Sequence, residues 1–144
     1  MHTTTKPMLW TGRVLSTLAI LFMLMDAVMK IILPPFVVAS SAGLGYTVSS
    51  LRPIGIALLL STILYIVPRT AIFGAILLTG YLGGAIDANV HAQTAVFNLA
   101  FPLVFAVIIW LGVWLRDARL RAILPLTPSA NFDPVADPPL IAQR

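Results

Sequence analysis

Four runs of almost unbroken apolar residues follow one another along the chain: Val14–Leu33, Ile54–Val67, Ala71–Ile86 and Ala95–Leu115. Short breaks marked by proline, arginine or polar residues separate them. Such runs make lipid, not water, the solvent that shapes the chain. In hydrocarbon every backbone N–H and C=O must be bonded internally, so segments of this length become spanning helices. The pattern predicts an all-α integral membrane protein, a bundle of four transmembrane helices within residues 1–121. Those helices are expected at about 12–33, 50–67, 70–87 and 95–115.

The breaks set the helix ends. The first run stops where Pro34-Pro35 blocks continuation, and its roughly twenty residues cover about 30 Å. A signal peptide is the rival reading, since Lys6 and Arg13 precede it. The stretch is too long for one and contains Asp26 and Lys30, so it is expected to remain as a helix. Ser49 and Ser50 can cap a second helix that opens just before Arg52-Pro53 and stops at Pro68. The third begins directly after Pro68-Arg69-Thr70, which makes helices two and three a tight hairpin. Its residues Ala71, Ala75, Thr79 and Gly83 recur every fourth position, with Gly80 and Gly84 on a neighbouring stripe. Small residues at that spacing let helices approach closely in lipid, and packing inside the bundle is the expected use. Pro102 removes one hydrogen bond from the fourth helix and predicts a kink or local unwinding there. Segment 122–144 is rich in proline and cannot bury a core, so a disordered cytoplasmic tail is expected. The connection Pro34–Ser50 is long for a simple turn and reads as a packed surface loop or as a short helix at the membrane interface.

Composition agrees with a membrane class. The chain of 144 residues is 59% hydrophobic and only 10% charged, against about 25% charged in soluble domains. A net charge of +4 does not point to nucleic acid, because the bases sit at helix ends and not on one polar face. They set orientation instead. Lys6, Arg13, Arg69, Arg116, Arg119, Arg121 and Arg144 fall on one side, and only Lys30 and Arg52 on the other. The positive-inside rule then places both termini in the cytoplasm of a multi-pass inner-membrane protein. Trp10, Trp110 and Trp114 fall near that inner interface, as an aromatic belt would place them. Cysteine is absent, which removes dithiol exchange and cysteine-ligated clusters. With only His2, in a polar N-terminal arm, and His91 as imidazoles, no metal site and no haem pair is expected.

The residues that can carry chemistry gather at the outer end, while the inner half reads as nearly featureless. Asp26 and Lys30 lie one turn apart in the order that favours an ion pair. Asp26 stands about 18 Å along from Val14, in the outer half of the membrane. Arg52, Asp87, Asn89, His91 and Asn98 join them as a candidate polar cluster. Each has a plain explanation as an anchor, a snorkelling cation or a solvated loop residue. An acid below the interface is the exception, because it is costly there unless it faces the interior or a wet cavity.

Several segments together carry a family likeness. They are Asp26-Ala27-Val28-Met29-Lys30, Pro34-Pro35, Leu44-Gly45-Tyr46 and Pro68-Arg69-Thr70-Ala71. Gly74 through Ala85 and the basic run Leu115-Arg116-Asp117-Ala118-Arg119-Leu120-Arg121 complete the set. Over about residues 12–124 the chain resembles the DoxX-like family of small bacterial four-helix membrane proteins. The resemblance implies a non-catalytic accessory subunit of a quinone-linked membrane oxidoreductase system, with a redox partner protein. The chain departs from the family pattern at Leu58, where a glutamate is common, and at Ala88-Asn89, in place of a Thr-His pair. Catalysis by the isolated chain is therefore not expected, and no catalytic residue is assigned. Two other roles remain open: binding or transport of a small lipophilic molecule or lipid through an outer polar cavity, and a purely structural role. No cofactor is evident; the associations in view are a quinone or lipid, the bilayer itself and a second copy of the chain.

Overall fold

The computed structural model describes residues 6–123, and every regular element among them is a helix. The expectations for His2, for Arg144 and for the proline-rich tail beyond Ile123 fall outside the described residues. Six helices follow in order: α1 (Lys6–Ile32), α2 (Pro35–Gly43), α3 (Val48–Ile66), α4 (Ala71–His91), α5 (Val96–Arg116) and α6 (Ala118–Ile123). Among the described residues α1, α3, α4 and α5 are the four long and apolar enough to cross a membrane.

These four form a ring in chain order. α1 packs on α3, α3 on α4, α4 on α5, and α5 closes back on α1. Short connections force neighbours in sequence to be antiparallel neighbours in space. Consequently α1 faces α4, and α3 faces α5, across the two diagonals of the bundle. The outside is covered by exposed Leu21, Phe36, Phe73, Phe97 and Leu103, which suits contact with hydrocarbon. Inside lie Met23, Leu58, Tyr65, Leu78, Ile109 and Val113, each essentially inaccessible.

Close approach depends on glycine at a few crossings. A Cβ on Gly74 would lie 2.3 Å from Tyr65 N, so the α3–α4 hairpin closes backbone to backbone only there. A Cβ on Gly55 would lie 2.9 Å from Lys30 Cβ and 3.0 Å from Ala27 O, which marks where α1 crosses α3. The small-residue stripe of α4 is used only in part. Ala71 and Ala75 are buried, but a Cβ on Gly80, Gly83 or Gly84 would meet nothing within 4 Å. The packing glycine is thus Gly74, not Gly83.

The ends differ from expectation in ways the chain explains. α1 begins at Lys6, more than a turn early, and ends at Ile32, followed by Leu33, whose φ of 59° takes the left-handed conformation that closes a helix. The Pro34–Ser50 connection is not a plain loop, because Pro35 starts the nine-residue α2 at its first position. Gly45, at φ 84°, then turns the chain, and the Tyr46 N–H returns to Ser41 O at 3.0 Å. α3 opens at Val48 with Thr47 as the residue before it, earlier than Ser49-Ser50 suggests, and the Ser50 hydroxyl donates to Thr47 O at 2.7 Å. α4 continues to His91, and α5 runs unbroken through Pro102.

Candidate functional site

Asp26 points into the bundle, and its two carboxylate oxygens have different partners. Lys30, one turn on along α1, donates to Oδ1. The Tyr81 hydroxyl donates to Oδ2 from α4, across the α1–α4 diagonal. Lys30 Nζ also lies 5.6 Å from the centre of the Tyr81 ring, within range of a cation–π attraction. Side-chain exposure is 18% for Lys30 and 25% for Asp26, so neither is a freely solvated anchor. The triad satisfies the rule that an acid at membrane depth must face the interior and be paired.

A cavity stands on each side of this diagonal. The first, of about 350 Å³, is lined by α1, α2, α3 and α4. Asp26, Lys30, Tyr81, Asn89, Ser41 and Tyr46 supply its polar lining, with Val37, Leu44, Leu51 and Ile54 among the apolar walls. The second, of about 280 Å³, opens toward α5 beside Phe22, Phe97, Phe101 and Pro102, with Asn98 at its edge. Asp26, Tyr81, Ala85 and Asn89 line both. The Asp26–Tyr81 hydrogen bond is therefore part of the partition between them. Asn89 is held in that partition by its own bonds: Nδ2 donates to Ala85 O at 2.8 Å, and Oδ1 accepts from the Thr94 hydroxyl at 2.8 Å. Phe22 stacks on Phe105, with centroids 4.2 Å apart, and braces the α1–α5 side.

The seven sequence candidates separate into two groups. Asp26, Lys30 and Asn89 line the first cavity, and Asp26, Asn89 and Asn98 the second. Arg52, Asp87 and His91 line neither and are exposed. Asp87 and His91 face each other at 3.4 Å on the surface, with side chains 72% and 77% exposed. Among the described residues no cluster of three metal-ligating side chains exists. Sequence reasoning passed over Tyr81, whose hydroxyl is the long-range partner of Asp26. Matching depths would have found it. Tyr81 is ten residues into α4 from Ala71, about 15 Å along the axis, close to the height of Asp26 on α1.

The opposite half of the bundle is not featureless, contrary to expectation. The Tyr65 hydroxyl donates to Ile109 O at 2.9 Å, spanning the α3–α5 diagonal. Its single proton is thereby used, so Ser16 Oγ, 3.2 Å away, is the donor to Tyr65. Arg116 Nη2 donates to Tyr65 O at 2.9 Å while its guanidinium lies 4.8 Å from the ring centre. Gly112 makes room, since a Cβ there would come within 2.5 Å of Ser16 Oγ. Tyr65 is wholly buried and Ser16 nearly so. Two tyrosines thus bridge the two diagonals at different heights, one in a sealed layer and one between cavities. Trp110 also links two helices at the bundle surface, its indole N–H donating to Thr79 Oγ1 at 2.9 Å, and does not serve as a belt residue alone.

Comparison with known proteins adds the following. No curated protein and no solved structure matches the chain. A family model described as the DoxX-like family matches residues 14–112. That span takes in the triad, the partition, α2 and the Gly74–Ala85 segment, and stops short of the basic run after Leu115. With well over half its length matched, this four-helix membrane chain belongs to the DoxX-like family.

Proposed function

We propose that the protein binds a small lipophilic molecule with a hydrogen-bonding head in the cavity beside Asp26, and that a quinone is the ligand class. The cavity itself carries this reading. At about 350 Å³ it lies in the range of small-molecule sites, which are mostly apolar with a few convergent polar groups. Lys30 and Asn89 provide N–H donors on its polar side, the Tyr81 hydroxyl proton being held by Asp26, and a quinone ring offers two carbonyl acceptors on an apolar frame. The sealed Ser16–Tyr65–Ile109 layer favours binding over transport, because it leaves no polar path along the axis beyond the triad.

On this reading the chain performs no redox step alone. It holds or presents the molecule to a redox partner protein, as a non-catalytic accessory subunit of a quinone-linked membrane oxidoreductase system. Seven basic residues against two favour cytoplasmic termini in a bacterial inner membrane, which puts the cavity in the outer half of the bilayer.

Gly84 provides the test. It lines the cavity, and a Cβ there meets no atom within 4 Å. Gly84→Leu should fill the space while leaving the thermal midpoint in detergent unchanged or higher, since glycine is a poor helix former. Binding of a short-tailed quinone, followed by native mass spectrometry, should fall at least tenfold in the variant. Equal binding by both proteins would remove the cavity as the site.

A further inference from the structure

At the end of the bundle opposite the triad, four arginines share one cleft. Arg13 comes from α1, Arg69 from the α3–α4 connection, Arg116 from the last turn of α5 and Arg119 from α6. The cleft measures about 600 Å³, and the remaining lining is Leu9, Val67, Pro68, Ala71 and Asp117. Four guanidinium groups against one carboxylate leave three net positive charges around a single space. One oxygen of Asp117 is engaged within its own turn, Oδ1 accepting the Arg119 backbone N–H at 2.8 Å. Among the described residues none of the four arginines has an acidic partner at ion-pair distance.

Interface arginines that only set orientation have no reason to converge. They repel one another, and each is free to snorkel separately into the headgroups. Here one is fixed: Arg116 is held by Tyr65 through a hydrogen bond and its ring face, so its remaining donors are positioned before any ligand arrives. Planar guanidinium forks are the side chains best matched to phosphate oxygens.

From this convergence we propose that the cleft between α1, the α3–α4 connection and α5–α6 binds a phosphate-bearing anionic group. The apolar lining by Leu9, Val67, Pro68 and Ala71 suits the glycerol and first acyl carbons of a phospholipid below such a headgroup. An inorganic phosphate ion would use the same arginines and leave that lining uncovered. The site is independent of the Asp26 cavity, and neither reading depends on the other.

The experiment uses the full chain in mixed micelles, with phosphatidylglycerol, phosphatidylcholine and inorganic phosphate as probes and native mass spectrometry as readout. Phosphatidylglycerol should bind at least tenfold more tightly than phosphatidylcholine. The double variant Arg69→Gln with Arg119→Gln should lose about tenfold in that affinity, the scale of losing charge-assisted hydrogen bonds. Both side chains are exposed, so the thermal midpoint should stay unchanged; Arg116 is left intact because it anchors Tyr65. Arg52→Gln, at the far end, should change nothing. Displacement of the lipid by millimolar phosphate supports the site with a free phosphate as its source, and failure to displace supports it with a lipid headgroup. Equal binding of the two lipids, or an equal loss in Arg52→Gln, would overturn it, since either result reduces the arginines to a diffuse surface charge.

Discussion

The Asp26–Lys30 pair separates a functional interior from a decorated membrane surface, and a double-mutant cycle measures the difference. Asp26→Asn removes the charge that compensates Lys30 while the ammonium stays at 18% side-chain exposure. Fully exposed pairs contribute about 0–1 kcal/mol, whereas stranding one member of a buried pair costs about 3–5 kcal/mol. The intermediate burial here places Asp26→Asn at about 2–3 kcal/mol. Asp26→Asn with Lys30→Met removes both charges, relieves their desolvation and keeps an amide oxygen for Tyr81, so about 1 kcal/mol is expected. Lys30→Met alone leaves Asp26 with the Tyr81 hydrogen bond and should cost about 1 kcal/mol, so the implied coupling is about 2–3 kcal/mol, measured from reversible unfolding in mixed micelles titrated with a denaturing detergent. A parallel Tyr81→Phe variant should cost about 1.5 kcal/mol in the native background, as a hydrogen bond to a charged acceptor, and less once Asp26 is neutral. A coupling under about 0.5 kcal/mol, within ordinary additivity error, would refute the reasoning and return both residues to the role of interface anchors.

Three further outcomes follow from the packing. Gly74→Ala should be among the most damaging single methyl additions, because its Cβ would meet Tyr65 N and Cα at 2.3 and 2.6 Å, backbone atoms that cannot swing aside. A loss of about 3 kcal/mol, read as a lowered thermal midpoint, is expected, and a neutral result would mean the hairpin is looser than described. Tyr65→Phe leaves Ser16 and Ile109 O without their shared partner and should cost about 1–2 kcal/mol; no change in the unfolding curve would show that water reaches that layer. Reporter fusions at Arg69 and Arg121 should read as cytoplasmic and those at Tyr46 and His91 as external; Tyr46 and Arg69 on the same side would sink the four-helix topology.

Helix number and type were legible because lipid imposes a coarse rule, the length of an apolar run, that needs no partner. The ends were read less well because tertiary contacts and local turns decide them. Leu33 in a left-handed conformation and Thr47 as the cap of α3 leave no mark in hydropathy. The stripe on α4 shows the same limit. Spacing picked out two stripes of small residues, but where α3 crosses decides which small residue makes the close contact, and that is Gly74, outside both stripes, while Gly80 and Gly84 line a cavity.

The candidate site divides along a similar line. Asp26 and Lys30 were readable because their cost in hydrocarbon is a property of each residue and their pairing is local along α1. Tyr81 was not, because a tyrosine in a span is unremarkable until an acid at the same depth faces it across a diagonal. Tyr65 was missed for the same reason, its partners lying 49 and 44 residues away. Arg52, Asp87 and His91 shared the right end of the molecule but not the right helix face, and proximity to an end does not bring side chains together. The ring order of the helices supplies the missing step. Once α1 is known to face α4, and α3 to face α5, an unpaired polar group on one helix has a diagonal counterpart at equal depth to search besides its two neighbours in the ring. Both tyrosines then follow from burial cost. The same reasoning explains why one diagonal is sealed and the other is not: Gly112 draws α5 against Ser16 and Tyr65. At Asp26 no glycine closes the α1–α4 diagonal, so cavities remain on either side of the hydrogen bond.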